Sequence, residues 1–223
     1  MNLHIIIDQK GRQFFSQYNQ KIILIRAINP GLKYQIICAA FAPFGEETGL
    51  SFTDSWMIEA SDDPLKADSK IVFKDQIKAN LGQSYQYRND GFVTNNHPVP
   101  PSSIHIANDR SGFQALVFGL GQKMDIDDGQ GMKYRSVSVR DLPFNQHFNF
   151  VPNNRLWILP GSHLSANMLL TTHSLKAANQ QSFFNKKSAS YIIGKYLEID
   201  IGETSVIHFD NTLHLFKKGP LTG

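Results

Sequence analysis

Apolar and polar residues alternate most regularly in the C-terminal segment 195–216. Leu197, Ile199 and Ile201 take every second position, and acidic residues occupy the two positions between them. Because successive side chains of a strand point to opposite faces, this spacing predicts a strand with one buried face. Residues 205–210 repeat the pattern and predict a second strand. We therefore expect these to be two core strands that close a β-sandwich.

Further apolar runs of strand length, each bounded by turn residues, recur along the chain. They cover residues 3–7, 21–27, 32–44, 51–60, 104–108, 113–121, 134–139 and 155–159. The isoleucine-rich runs at 21–27 and 32–44 predict a central pair of strands that is buried on both faces. Segments 66–81 and 163–179 fit either a strand or a short helix.

A tight hairpin is predicted at residues 83–93, where alternating tyrosines precede the run Asn89-Asp90-Gly91. These three residue types readily adopt the positive φ that a short hairpin turn needs. Many short strands separated by turns are typical of an all-β sandwich with Greek-key or jelly-roll-like connections. The proline-rich loop 94–103 is short, so we predict a single β-sandwich domain over residues 1–223 with few short helical turns.

Composition narrows the range of functions. Charged residues make up 18% of the chain, the net charge is +3, and the basic residues are scattered. Nucleic-acid binders usually concentrate positive charge in a stripe, so we expect no nucleic-acid partner. No apolar stretch is long enough for a transmembrane segment, and the N-terminus lacks the regions of a secretory signal. We expect synthesis in the cytoplasm, with release by a non-classical route as an alternative.

The chain has one cysteine, Cys38, which lies in an apolar run. No disulfide within the chain is possible. We expect Cys38 to be a small buried hydrophobe with a raised pKa rather than a nucleophile.

Aromatic residues with polar neighbours suggest a surface that recognises a ligand. Trp56 follows a Thr-Asp-Ser run, and Tyr85 and Tyr87 precede Asn89 and Asp90 at the predicted hairpin turn. Planar rings stack on the apolar faces of sugars, while Asn and Asp bond their hydroxyl groups. These five residues are the predicted ligand-binding set, and core packing or a cross-strand aromatic ladder is the alternative.

His208, Asp210 and His214 are the predicted metal-binding set. The alternation puts all three on the face opposite the neighbouring apolar residues, and two imidazoles with one carboxylate can hold a divalent metal. The run Pro160-Gly161-Ser162-His163 resembles a motif of phytanoyl-type dioxygenases. That resemblance implies an iron site with a His-x-Asp before the run, whereas here His208-x-Asp210 follows it.

Three functional hypotheses follow. The first is a non-enzymatic β-sandwich binding module, lectin-like or related to toxins and defence proteins, that recognises a carbohydrate or a cell-surface ligand and self-associates into a homo-oligomer. The second is a metal-dependent enzyme at His208, Asp210 and His214, with a divalent metal as its cofactor. The third is a self-assembling structural protein whose strands meet edge to edge. The absence of a coherent catalytic motif favours the first, without a cofactor.

Overall fold

Strands dominate a computed structural model of the chain, which describes residues 1–28, 31–112, 115–180 and 191–221. The elements of the N-terminal half are, in chain order, β1 Asn2–Ile6, α1 Gln9–Gln17, β2 Lys21–Arg26, β3 Tyr34–Ile36, β4 Ala39–Phe41, β5 Glu47–Ser61, β6 Asp75–Ala79, β7 Ser84–Arg88, β8 Gly91–Asn95 and β9 Ile104–Asn108. Those of the C-terminal half are β10 Leu116–Asp125, β11 Lys133–Leu142, β12 Gln146–Phe150, β13 Arg155–Ser162, β14 Leu169–Thr171, α2 Thr172–Gln180, β15 Ile192–Ile193, β16 Leu197–Asp200, β17 Val206–Asp210 and β18 Leu215–Lys218.

The largest sheet among the described residues has seven strands. Its order is β11-β10-β5-β1-β17-β18, and β6 pairs with the C-terminal half of the long strand β5. The first and last parts of the chain meet in this sheet, where β1 and β17 pair in parallel. β17 and β18 pair as a hairpin in this sheet, whereas β16 pairs with β13 in a different sheet. The two strands predicted first for the C-terminal segment therefore lie in two sheets.

Two further sheets complete the sandwich-like arrangement. One has four strands in the order β12-β9-β7-β8. The other centres on β13, which pairs with β2 on one edge and with β15 and β16 on the opposite edge, while β4 extends the sheet beyond β2. A two-stranded sheet, β14-β3, lies beside them. The prediction of an all-β fold with a sandwich-like arrangement and few short helices is confirmed.

The packing of strand β2 explains why its four central residues, 22–25, are all apolar. Ile22 and Leu24 pack in the largest core cluster, which joins residues of all three larger sheets. Ile23 and Ile25 point to the opposite face and pack with Leu175 of helix α2 in a second cluster. Burial of β2 on both faces confirms that prediction. The run 32–44 instead forms two short strands, β3 and β4, rather than one long strand.

Helix α1 was not predicted by the alternation, because its nine residues carry few apolar side chains. Asp8 forms the N-cap, and its side chain accepts a hydrogen bond from the backbone N–H of Gly11 at 2.7 Å. Asn211 donates to both oxygens of the same carboxylate at 2.8 Å. The cap therefore ties the helix to the turn between β17 and β18.

Several other predictions can now be placed. The tight hairpin is confirmed as β7 and β8, and Gly91 has the positive φ of 107°. Helix α2 begins within the ambiguous segment 163–179 and ends one residue beyond it. The first residues of the predicted strand 113–121, Phe113 and Gln114, lie outside the described residues. No helix in the described part of the chain is long and apolar enough to cross a membrane.

Candidate functional site

The three aromatic residues of the predicted ligand-binding set lie in the core. Trp56 on β5 is 4% exposed, and Tyr85 and Tyr87 on β7 pack in the same cluster. Each tyrosine hydroxyl finds a partner on the protein: Tyr85 donates to Gln83 at 2.8 Å, and Tyr87 donates to Asp75. Burial raises the pKa of Tyr87 to about 12, and the bond to Asp75 adds to this rise. Consequently none of these rings presents a face to solvent.

Asn89 and Asp90 are exposed at the tip of the β7–β8 hairpin. The Asn89 amide oxygen accepts from the backbone N–H of Ser111 at 3.2 Å, and its nitrogen donates to the Ser111 hydroxyl at 2.8 Å. These bonds connect the hairpin tip to a neighbouring loop. The two residues are accessible, but the rings that the sequence associated with them are not. A role in ligand binding stays a prediction for this set.

The three residues of the predicted metal-binding set have separate partners. His208 bonds the carbonyl oxygen of Gly219 through Nδ1 at 2.9 Å. Asp210 pairs with Lys217 at 2.5 Å and accepts from two backbone N–H groups in the following turn. The Lys217 bond, joined by those backbone bonds, lowers the pKa of Asp210 to about 2.

His214 lies away from the other two. Its ring stacks on Phe14 of helix α1, with centroids 4.2 Å apart. The turn 211–214 interrupts the alternation that the sequence suggested, and Leu213 is 48% exposed instead of resuming the apolar face. Among the described residues, no three His, Cys, Asp or Glu side chains are grouped so that they could hold one metal ion. The geometry therefore gives this metal hypothesis no support.

A different region has the features of a binding site. A cleft of about 490 Å³ opens on the face of β5, β10 and β11 that points away from the main core. Segment 70–73 and residues 166–167 form its other wall. Its polar lining residues are Glu59, Lys70, Gln76, Tyr134, Arg135, Ser136 and Asn167. Its apolar lining includes Met57, Ile71 and Phe73.

Glu59 is the unusual residue of this cleft. It is 3% exposed, and its Oε2 accepts a hydrogen bond from the hydroxyl of Ser136 at 2.6 Å. Burial raises the pKa of Glu59 to about 7, although the Ser136 bond acts in the opposite direction. A carboxyl group that is neutral or charged near physiological pH can donate or accept a hydrogen bond. Such groups concentrate in functional sites.

One glycine, Gly119, makes room for Glu59. In the β5–β10 register, Gly119 lies opposite Glu59 and Gly121 lies opposite Met57. A Cβ at Gly119 would lie 2.9 Å from Glu59 Oε2 and 2.7 Å from the Phe73 ring. An alanine there would collide with both the carboxylate and the wall of the cleft. Packing around the buried acid thus explains the glycine at position 119.

Arg135 and Cys38 also line the cleft. Arg135 lies 3.7 Å from the carboxylate of Asp128 in the β10–β11 turn, which links the cleft to that turn. Cys38 is buried, and its thiol donates to the carbonyl oxygen of Leu24 at 3.1 Å. Burial raises the pKa of Cys38 to about 11. The prediction that Cys38 is a buried thiol is confirmed.

The sequence carries one signal for Glu59. The acid interrupts the apolar stretch Trp56-Met57-Ile58, and a lone acid inside a buried strand needs a reason. Ser136 and Gly119, which explain the buried position of Glu59, are distant from it in the chain. They become its neighbours only through strand pairing.

Together, the fold and the cleft define an all-β protein with one buried acid at the base of a polar cleft. No protein-family model matches the chain. Comparisons with curated proteins and with solved structures also found no match. We therefore infer the function from the geometry of the site.

Proposed function

We propose that this protein is a binding module and that the Glu59 cleft takes a small hydroxyl-rich ligand of the carbohydrate class. The observation that carries the proposal is the buried Glu59 carboxyl group in an open cleft, bonded to Ser136. Around it, Gln76 and Asn167 supply amide groups, and Phe73 supplies a ring. Polar groups that converge on partly apolar walls are typical of sites for small ligands.

The amide, hydroxyl and ring groups of the cleft suit a sugar. Amides and hydroxyls both donate and accept hydrogen bonds, as sugar hydroxyls do. Glu59 can accept from one hydroxyl when it is ionised and donate to another when it is protonated. The Phe73 ring offers an apolar surface for the C–H face of a sugar ring.

The number of carboxylates in the cleft favours binding over hydrolysis. Most glycoside hydrolases place two carboxyl groups on either side of the scissile bond. Among the described residues that line the cleft, Glu59 is the sole carboxylate. We therefore place Glu59 in ligand recognition and assign it no catalytic role.

A sugar-binding assay tests this proposal. Saturation-transfer NMR with a panel of mono- and disaccharides should identify a ligand for the wild-type protein. Gln76→Ala should weaken its binding roughly fivefold, since one hydrogen bond contributes about 1 kcal/mol. Glu59→Gln should weaken it at pH 8, where the wild-type carboxyl is ionised.

The matched control is Gln146→Ala, which removes an exposed amide on β12, outside the cleft. Its affinity for the same sugar should equal that of the wild-type protein. Absence of any binding at millimolar sugar, or equal binding by the two cleft variants and the wild type, would contradict the proposal.

A further inference from the structure

A row of three histidines lies on the outer face of the four-stranded sheet. The rings of His97 and His105 have centroids 5.4 Å apart, and those of His105 and His147 are 5.3 Å apart. None of the three lines the Glu59 cleft. The row is therefore a separate feature that the proposed function does not use.

Strand pairing explains why the row forms. In the β12–β9 register, Asn149 lies opposite His105, and His147 lies opposite Ala107. The alternate residues of these strands, such as Ile106 and Phe150, pack in the core. His105 and His147 are thus held by two paired strands on one outer face.

His97 reaches the row by a different route. It lies two residues beyond the end of β8, in the loop that follows this strand, and it is exposed. Only its ring contact with His105 connects it to the row. The His105–His147 contact is consequently more rigid than the His97–His105 contact.

The environment of His105 fixes which nitrogen is free. Its Nδ1 lies 2.7 Å from the amide oxygen of Asn149. An amide oxygen accepts but cannot donate, so Nδ1 carries the proton and Nε2 keeps its lone pair. Histidines that bind metals commonly have this arrangement, with an oxygen holding the opposite ring nitrogen.

The ring spacing suits a shared ion. Two imidazoles bound to one tetrahedral metal at about 2.0–2.1 Å per bond place their centroids roughly 5 Å apart. The His105–His147 pair shows this spacing without any movement of the strands. On the same face, the cross-strand neighbour Ser84 has a buried hydroxyl with no hydrogen-bond partner among the described residues. It is a further polar group beside His105.

We propose that His105 and His147 bind one divalent transition-metal ion, of the zinc, nickel or copper type. Imidazole suits these ions. Because the described residues contain no group of three His, Cys, Asp or Glu side chains that could hold one metal ion, water would complete the coordination. Asn149 acts as a positioning residue that orients the His105 ring.

Calorimetric titration of the full-length, tag-free protein with ZnCl₂ at pH 7.5 tests the proposal. The wild-type protein should bind one equivalent. His105→Ala and His147→Ala should each weaken binding at least tenfold. Asn149→Ala should weaken it about tenfold, the effect typical of losing an orienting partner. Electron paramagnetic resonance of the Cu²⁺ form should show two nitrogen ligands in the wild type and one in either histidine variant.

His173→Ala is the matched control, because it removes an exposed histidine of helix α2 that lies outside the row. It should bind zinc like the wild type. Circular dichroism spectra and Tm values should show that all variants fold. Unchanged zinc binding in His105→Ala and His147→Ala, or no binding by the wild type at millimolar zinc, would overturn the proposal. So would binding that depends on His97 and not on His147.

Discussion

The buried Glu59 carboxyl group makes a quantitative prediction about pH and stability. A group whose pKa is higher in the folded than in the unfolded state stabilises the fold fully below its unfolded pKa. That stabilisation is lost as the pH rises through the folded pKa. The ordinary pKa of a glutamate is 4.5, and burial raises that of Glu59 to about 7. The contribution of Glu59 to stability should therefore decrease as the pH rises from 4.5 to about 7.

The magnitude follows from the size of the rise. At about 1.4 kcal/mol for each tenfold change in proton affinity, a rise from 4.5 to about 7 corresponds to roughly 3 kcal/mol. Above pH 7 the folded state holds an ionised carboxylate with one hydroxyl donor, Ser136, in a mostly desolvated position. Glu59→Gln keeps an acceptor for Ser136 but cannot ionise.

The assay is urea unfolding of the wild type and of Glu59→Gln at pH 4.5, 6 and 8. The free energy of unfolding of the variant minus that of the wild type should rise by about 3 kcal/mol from pH 4.5 to pH 8. Using this difference cancels any constant effect of the amide. Glu203→Gln, which changes an exposed glutamate, is the control and should show no such rise.

One result would refute the reasoning directly. If the difference between Glu59→Gln and the wild type does not change with pH, the carboxyl group of Glu59 is not desolvated in the folded protein. The cleft would then lack the feature on which the proposed function depends.

Three further predictions concern other parts of the fold. Asp8→Ala should lower the free energy of unfolding by about 1 kcal/mol through loss of the α1 cap, measured by urea unfolding, while Gln9→Ala at an exposed neighbouring position should change it little. The stability that Asp210 provides should be lost as the pH falls from about 4 towards its folded pKa of about 2, and Asp210→Asn should remove this dependence in acid unfolding curves. Cys38 should react with a thiol reagent at pH 8 only after unfolding, and rapid labelling of the native protein would contradict its burial.

The local pattern of the sequence was sufficient for much of the fold. Alternation places Ile207 and Phe209 in the core and His208 on the opposite face, because one register of a strand buries one set of side chains. The turn at Asn89-Asp90-Gly91 likewise follows from the φ preference of glycine, because Gly91 has a positive φ. These features depend on neighbours in the chain, which the sequence shows directly.

The positions of the predicted site residues could not be read from the sequence, for the opposite reason. An aromatic residue in an alternating run gives no sign of which face will be buried, and Trp56, Tyr85 and Tyr87 all took the core face. His214 follows the alternation in the sequence, but the turn that precedes β18 moves it onto helix α1. Both outcomes depend on which strands and helices pack together, and that information is distributed over the whole chain.

A single methyl group added at Gly119 tests whether packing against Phe73 and Glu59, which are distant in the chain, requires a glycine there. Alanine at this position would place its Cβ 2.7 Å from the Phe73 ring and 2.9 Å from Glu59 Oε2, so either the cleft wall or the buried acid must move. Overpacking of this kind costs typically about 1–3 kcal/mol. At Gly121 the closest atom is 3.5 Å away, an ordinary contact, so Gly121→Ala is the matched control with the same change in backbone freedom. Urea unfolding should show a loss of stability for Gly119→Ala alone. If both variants unfold alike, the glycines reflect strand geometry and not the space that Glu59 needs.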